Sequence, residues 1–353
     1  MDALADFAAA FQRLVGRSGT KITDESFQRV DHLARRQVDP SVLAVIARED
    51  ACLQSFKVAR QFGIPTIYQL PTAFYQFVRC RMKEEASHFP GIICEEEVAH
   101  EFAPERCERK ETELAHADYV LCPSEFVRKS LPETPALQGR VITIPLGIDV
   151  ESWNPVQGYK QPVFLYVGNI TIRKGAHRLL TVWKKLKAYR THQLKLIGDM
   201  GIPRSFLSDF VGMYDFVPRV HRRELQRHYQ AAQAFVFNAM ADGFGHVFAE
   251  AMACGTAVLC SRNTGAPDLV TDGVEGRLFD YGDDDQLAAT LDWALTHPTE
   301  LREMGVAARR KALRCGWNEF ETAFLHWFHS ITSGSASTPT DSGNALTGVL
   351  KPA

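Results

Sequence analysis

Ala234-Phe235-Val236-Phe237, followed by Asp242-Gly243-Phe244-Gly245-His246-Val247-Phe248-Ala249-Glu250-Ala251-Met252-Ala253-Cys254-Gly255, reads as strand, loop, helix and stop. The two loop glycines let backbone approach a ligand closely. A helix beginning near Gly245 offers unpaired N–H groups and the positive end of its dipole to a phosphate. Glu250 lies beyond the first turn, where a carboxylate is a poor phosphate ligand but a good acceptor for sugar or ribose hydroxyls. Asp242, at the loop mouth, can reach a second set of hydroxyls. Two acids so spaced suit a nucleotide sugar, although Gly243-Phe244-Gly245 taken alone is equally an ordinary strand-to-helix turn.

The same alternation extends outward in both directions. Short β-branched runs alternate with longer amphipathic segments, each changeover marked by Gly, Pro or Ser, as parallel α/β units require. One series has strands at 42–46, 66–70, 119–122 and 141–144. A second has them at 163–167, 194–197, 214–217, 234–237, 256–259 and 276–279, a complete doubly wound half. Between the series, residues 149–158 carry Pro155 and Gly158 and read as a linker. The expected fold is therefore α/β, in two domains. Residues 1–150 form the N-terminal domain, 151–332 the C-terminal one, and the Ser/Thr/Pro/Gly-rich 333–353 a disordered tail. The first forty residues open with helices, since Phe7, Phe11, Leu14 and Val15 recur at helical spacing. Residues 317–330 read as a final helix.

Composition narrows the function. The 353 residues carry 40 Lys and Arg against 42 Asp and Glu, which removes the electrostatic argument for a nucleic-acid partner. No apolar run approaches the roughly 18 residues of a membrane-spanning helix, and the first residues lack a basic and apolar leader, so a cytoplasmic protein is expected. The eight cysteines form no C-x-x-C pair and read as reduced, mostly buried thiols. Asp283-Asp284-Asp285 precedes a helix and reads as its N-terminal cap, and His326 and His329, without carboxylate company, make a weak metal case. Trp183-Lys184-Lys185-Leu186-Lys187-Ala188-Tyr189-Arg190 could meet an anionic membrane in a peripheral contact, and a solvated helix face explains it as well. His246 shares a helix face with Glu250 at i and i+4, for a packing or donor-contacting role.

These motifs resemble the retaining nucleotide-sugar glycosyltransferases of family 4, the group 1 glycosyl transferases with the two-domain GT-B fold. Asp242 through Glu250 looks like the family's E-x7-E motif with Asp in place of the first Glu. Thr264-Gly265-Ala266-Pro267-Asp268-Leu269-Val270, with Asp272-Gly273 and Gly276, is similar to its Gly-Gly-x-x-Glu turn and following strand, again with Asp for Glu. Tyr166-Val167-Gly168-Asn169-Ile170-Thr171-Ile172-Arg173-Lys174-Gly175 looks like the segment that supplies an Arg and a Lys to the donor diphosphate. Ile144-Pro145-Leu146-Gly147-Ile148-Asp149 resembles the family's entry to the linker.

The resemblance implies two Rossmann-like domains facing a cleft, the N-terminal one reduced and the final helix packing back toward it, a nucleoside diphosphate sugar as donor, a glycan, lipid-linked or small acceptor, no metal or other cofactor, and hexosyl transfer with retention. Lys174, with Arg173 and the helix dipole at Gly245, would stabilise the leaving diphosphate, while Glu250 holds the ribose and Asp242 orients the sugar. Gly168, Asn169, Val217, Gly243, Phe244, Gly245, His246 and Val247 would line the donor site. Gln69 falls on the acceptor side, where the family often places a His. Three departures stand out. Asn169 occupies the family's usual Arg position, Gln69 cannot become a cation, and residues 1–40 show neither the first strand nor its glycine-rich loop. They keep open a binding or scaffold subunit, a start that omits part of the protein, and a nucleotide-sugar epimerase of the same architecture.

Overall fold

The ten strands expected from the alternation all form, in two parallel sheets. The computed structural model describes residues 19–93, 95–156, 158 and 160–332. The N-terminal stripe around Phe7 to Val15 and the tail 333–353 lie outside the described residues. Strands β1 (Val45–Arg48), β2 (Thr66–Gln69), β3 (Tyr119–Cys122) and β4 (Val141–Thr143) make the first sheet in the simple order β1-β2-β3-β4. The first strand starts later than 42–46 because Asp39 claims that segment for a turn. Its carbonyl accepts from the Val42 N–H at 3.0 Å, and its carboxylate from the Ser41 N–H at 2.8 Å.

The second sheet contains β5 (Gln161–Val167), β6 (Gln193–Ile197), β7 (Asp215–Val217), β8 (Ala232–Phe237), β9 (Ala257–Ser261) and β10 (Gly276–Phe279). Their order is β10-β9-β8-β5-β6-β7, the doubly wound pattern. Direction reverses between β5 and β8, whose register runs Phe164↔Ala234 and Leu165↔Phe235. Connections leave these two strands toward opposite faces, so a crevice opens beyond their carboxyl ends. Apolar side chains fill both faces: Phe164, Tyr166, Trp183 and Leu196 on one, Leu165, Phe235, Phe248 and Met252 on the other.

Two segments tie the halves together. The helix Trp317–Thr332 packs Phe320, Phe324 and Trp327 against Ile67, Leu121 and Ile144 of the first half. It starts tight against the linker, since a Cβ on Gly147 would lie 2.5 Å from the Trp317 Cα. The helix Tyr75–His88 leaves β2 of the first sheet and delivers Ile92 into the core of the second half, beside Leu179 and Trp183. We call this segment, through the helix Glu95–Glu101, the arm. At Asp283 the expected cap forms: its side chain accepts from the N–H groups of Asp285 and Gln286. Trp183 is fully buried, so it is withdrawn from the basic surface of Lys184 and Lys185 that a membrane would meet. Among the described residues, no helix is long and apolar enough to cross a membrane.

Candidate functional site at the strand crossover

The loop after β5 is shaped from within. The buried Tyr166 hydroxyl lies 3.1 Å from the Asn169 carbonyl and 3.3 Å from that of Lys174, so one proton draws both ends of the loop together. Gly175 starts the helix Ala176–Lys185 with φ 70°, and a Cβ there would fall 1.5 Å from the Asn238 carbonyl oxygen. Only glycine lets the loops after β5 and β8 approach this closely. The Arg173 carbonyl accepts from the Met240 N–H at 2.9 Å, completing the junction. Gly168, with φ 133°, packs its carbonyl under Gly198. Asn169 is exposed, and its backbone carbonyl is the part engaged.

From this junction Lys174 and Arg173 point to different partners. The Lys174 ammonium pairs with the Asp242 carboxylate and lies 5.9 Å from the Phe237 ring centroid. The Arg173 guanidinium reaches across to the first half, donating at 2.9 Å to Glu101 Oε1 and at 2.9 Å to Thr72 Oγ1. The Gly243 loop also abuts that half: a Cβ on Gly243 would lie 1.8 Å from the Pro71 carbonyl oxygen. Ser124 Oγ donates to the Gly243 carbonyl at 2.5 Å, and Asp268 accepts from the Glu125 N–H at 2.8 Å. Burial raises the Asp268 carboxyl to about 6. Gln69 ends β2 two residues before Pro71, half-buried beside this contact.

Glu250 faces a separate part of the crevice. It projects from the helix Gly245 initiates at φ 87°, His246–Ala253, into a cavity of about 370 Å³ shared with His246, Asp149, Trp153, Arg222 and Trp317. Its Oε2 accepts from the buried Tyr229 hydroxyl at 2.9 Å. Burial pushes the Glu250 carboxyl up to about 7, against the opposing pulls of that hydrogen bond and the Arg222 charge. His246 stands at the cavity mouth, 5.0 Å ring to ring from Phe244, and desolvation lowers its pKa despite Asp242, which favours the neutral imidazole. Val247 packs with Val217, the last residue of β7, against the core beneath the cavity. The structure thus joins Lys174 to Asp242 and His246 to Glu250, and it sends Arg173 to the opposite wall.

Several residues here had no local sequence pattern to reveal them. Tyr229 is 21 positions from Glu250, and Glu101 and Thr72 are 72 and 101 positions from Arg173. Arg222 pairs with Asp149 at 2.7 Å and lies 4.6 Å from the centroid of the Trp153 ring, which in turn packs edge-on against Tyr229 at 5.6 Å. This chain of contacts runs from residues 149–153, between the two sheets, to the carboxylate of Glu250.

Residues 149–311 match the family described as glycosyl transferases group 1. The C-terminal half carries a group 1 glycosyl transferase domain. A sulfoquinovosyl transferase of Arabidopsis thaliana is 29% identical over 224 residues, 58% of this chain and 43% of that protein. A D-inositol 3-phosphate glycosyltransferase of Thermobifida fusca is 37% identical over 116 residues, 32% of this chain and 27% of that protein. The chain spans less than two thirds of the length of these relatives. A sucrose-phosphate synthase from Thermosynechococcus elongatus has the same fold at TM-score 0.66 and 19% identity, over 88% of this chain and 78% of that one. An Anabaena protein, HepE, does so at TM-score 0.63 and 16% identity, over 86% and 82%. The architecture around the group 1 domain is GT-B, with a first sheet of four strands.

Proposed function

We propose that the protein is a retaining glycosyltransferase that moves a hexosyl group from a nucleoside diphosphate sugar to a hydroxyl of a glycan, lipid-linked or small acceptor. In this reading residues 1–150 are the acceptor domain and 151–332 the donor domain. The observation that carries it is the division of chemistry at the β5/β8 crossover: cations at one end of the crevice, a hydroxyl-accepting carboxylate in a cavity at the other. The Anabaena neighbour, solved in complex with UDP and with UDP-glucose, supports the donor class by its fold.

The roles follow from charge development. As the C1–O bond to the diphosphate breaks, negative charge grows on the departing phosphate, and the Lys174 ammonium, the Arg173 guanidinium and the N–H groups at Gly245 and His246 stabilise it. The acceptor oxygen bonds to C1 on the same face, and its proton passes to the leaving phosphate. Glu250, fixed through one oxygen by Tyr229, keeps the other for ribose hydroxyls. Asp242 positions the sugar and holds Lys174 at hand. Asn169 contributes backbone to the donor wall. Closure of Pro71 onto Gly243 excludes water from the reacting centre.

A second reading, a nucleotide-binding subunit without turnover, draws on the four-stranded first sheet and on Gln69 in place of an imidazole. Calorimetric titration with UDP, GDP and ADP, with Glu250→Ala beside the native chain, tests the site. One diphosphate is expected to bind, at least tenfold more weakly to the variant. Turnover of the matching nucleotide sugar then separates the enzyme from the subunit. A folded chain that binds none of the three sinks the proposal.

A further inference from the structure

The arm carries two carboxylates that meet cations of the second half in different settings. Glu85 is buried, 2.7 Å from His177 Nε2 and 3.0 Å from Arg178 Nε, and Phe89 packs edge-on against His177 at 4.7 Å. Arg178 also reaches Asp284 at 2.9 Å, so the buried Glu85 shares its cation with a second carboxylate. Glu101, at the far end of the arm, meets Arg173 with 36% of its side chain exposed and 29% of the arginine's.

We propose that Glu101 is a specificity-determining residue of the donor site: it competes with the donor diphosphate for the Arg173 guanidinium and so sets donor affinity. The proposal rests on the reading above that Arg173 faces the diphosphate. Three observations carry it. Both groups that hold Arg173, Glu101 and Thr72, come from the opposite half, whereas Lys174 is held by Asp242 of its own half. A guanidinium occupied by a carboxylate and a hydroxyl presents to them the same forked donors that would hold two phosphate oxygens. The half-exposed pair is weak enough to exchange, whereas breaking the buried Glu85 anchor would strand a charge. Exchange at Glu101 therefore leaves the arm in place. A ligand with two adjacent phosphates can displace the carboxylate from Arg173, and a singly charged group gains little by doing so.

The test measures binding of inorganic pyrophosphate, UDP, GDP and ADP by calorimetry to the native chain, Glu101→Gln, Arg173→Gln and the double variant. Glu101→Gln is expected to tighten the diphosphates that bind by about two- to fivefold. Arg173→Gln weakens them, and adding Glu101→Gln to it restores nothing, because the competitor has lost its target. Glu101→Asp, which keeps the charge on a shorter stem, falls between native and Glu101→Gln. Glu85→Gln lowers stability without tightening any ligand. If the native chain binds a diphosphate and Glu101→Gln binds it no tighter, or if the gain survives in the Arg173→Gln background, the competition is wrong and the transferase reading stands. If no diphosphate binds to native chain or variant, that reading falls and takes this inference with it.

Discussion

At the carboxyl end of β1, Glu49 and Asp50 are locked with Lys110 at 2.6 and 3.3 Å, and Asp50 with Arg106 and Arg109 at 2.7 and 3.0 Å. At the corresponding end of β5 and β8, Lys174 has one charged partner, Arg173 a carboxylate and a hydroxyl, and Glu250 one hydrogen bond, each with some access to solvent. The difference follows from topology. The first sheet runs β1-β2-β3-β4 without reversal, so no crevice opens among its strands and its terminal charges are buried against helix Pro104–His116. The second sheet reverses between β5 and β8 and leaves its terminal charges beside an opening. Buried charge that is fully paired serves the fold, and charge left partly open at a reversal is available to a ligand.

Three measurements would break or sharpen that contrast. The largest effect is expected from Lys110→Met, which strips Glu49 of its cation in a site where both side chains are less than a tenth exposed. Chemical denaturation should show a loss of about 3–5 kcal/mol; a loss below about 1 kcal/mol would mean that the network is wetter than its packing shows.

Tyr229→Phe should cost about 1 kcal/mol by the same method, from one lost hydrogen bond. It also has a pH effect. Glu250 sits at about 7 in the folded chain against an ordinary 4.5. The folded state therefore holds the extra proton between those values, so this carboxyl's contribution to stability is complete below about 4.5 and lost as pH rises through about 7. In the proposed donor site Glu250 accepts ribose hydroxyls in its ionised form, so on that proposal nucleotide affinity should increase with pH through that range. The Tyr229 hydroxyl holds the value down, hence the midpoint should move to higher pH in Tyr229→Phe and the dependence should vanish in Glu250→Gln. An unmoved midpoint would show that the hydroxyl does not set the carboxylate's charge.

The smallest change in stability is expected from Lys174→Met, within about 1 kcal/mol, because its pairing with Asp242 is partly solvated. Diphosphate affinity should nevertheless fall strongly. A destabilisation as large as that of Lys110→Met would erase the distinction between the two ends.

Much of the architecture was legible in advance. Tyr119–Cys122 and Gly276–Phe279 form over the expected residues, and the Asp283 cap does too, because strand alternation and capping depend on neighbours within a few positions. β1 was displaced because the Asp39 turn captured Val42, a side-chain contact that apolar patterning does not register. Within 183–190 packing also sets one side chain: Trp183 belongs to the core stripe of its helix, and that stripe faces Phe164 at 5.3 Å.

The sequence by itself determined the α/β class, the two strand series, and the glycines and acids grouped after Phe237, since each rests on local spacing and on the steric freedom of glycine. Only the tertiary structure decided that Arg173 crosses to Glu101, that Tyr229 fixes Glu250, and that an arm from the first half lies in the core of the second. Those pairings join residues 21 to 101 positions apart. No local periodicity encodes them, and they exist because the reversal between β5 and β8 and the packing of two sheets bring distant chain segments to one place.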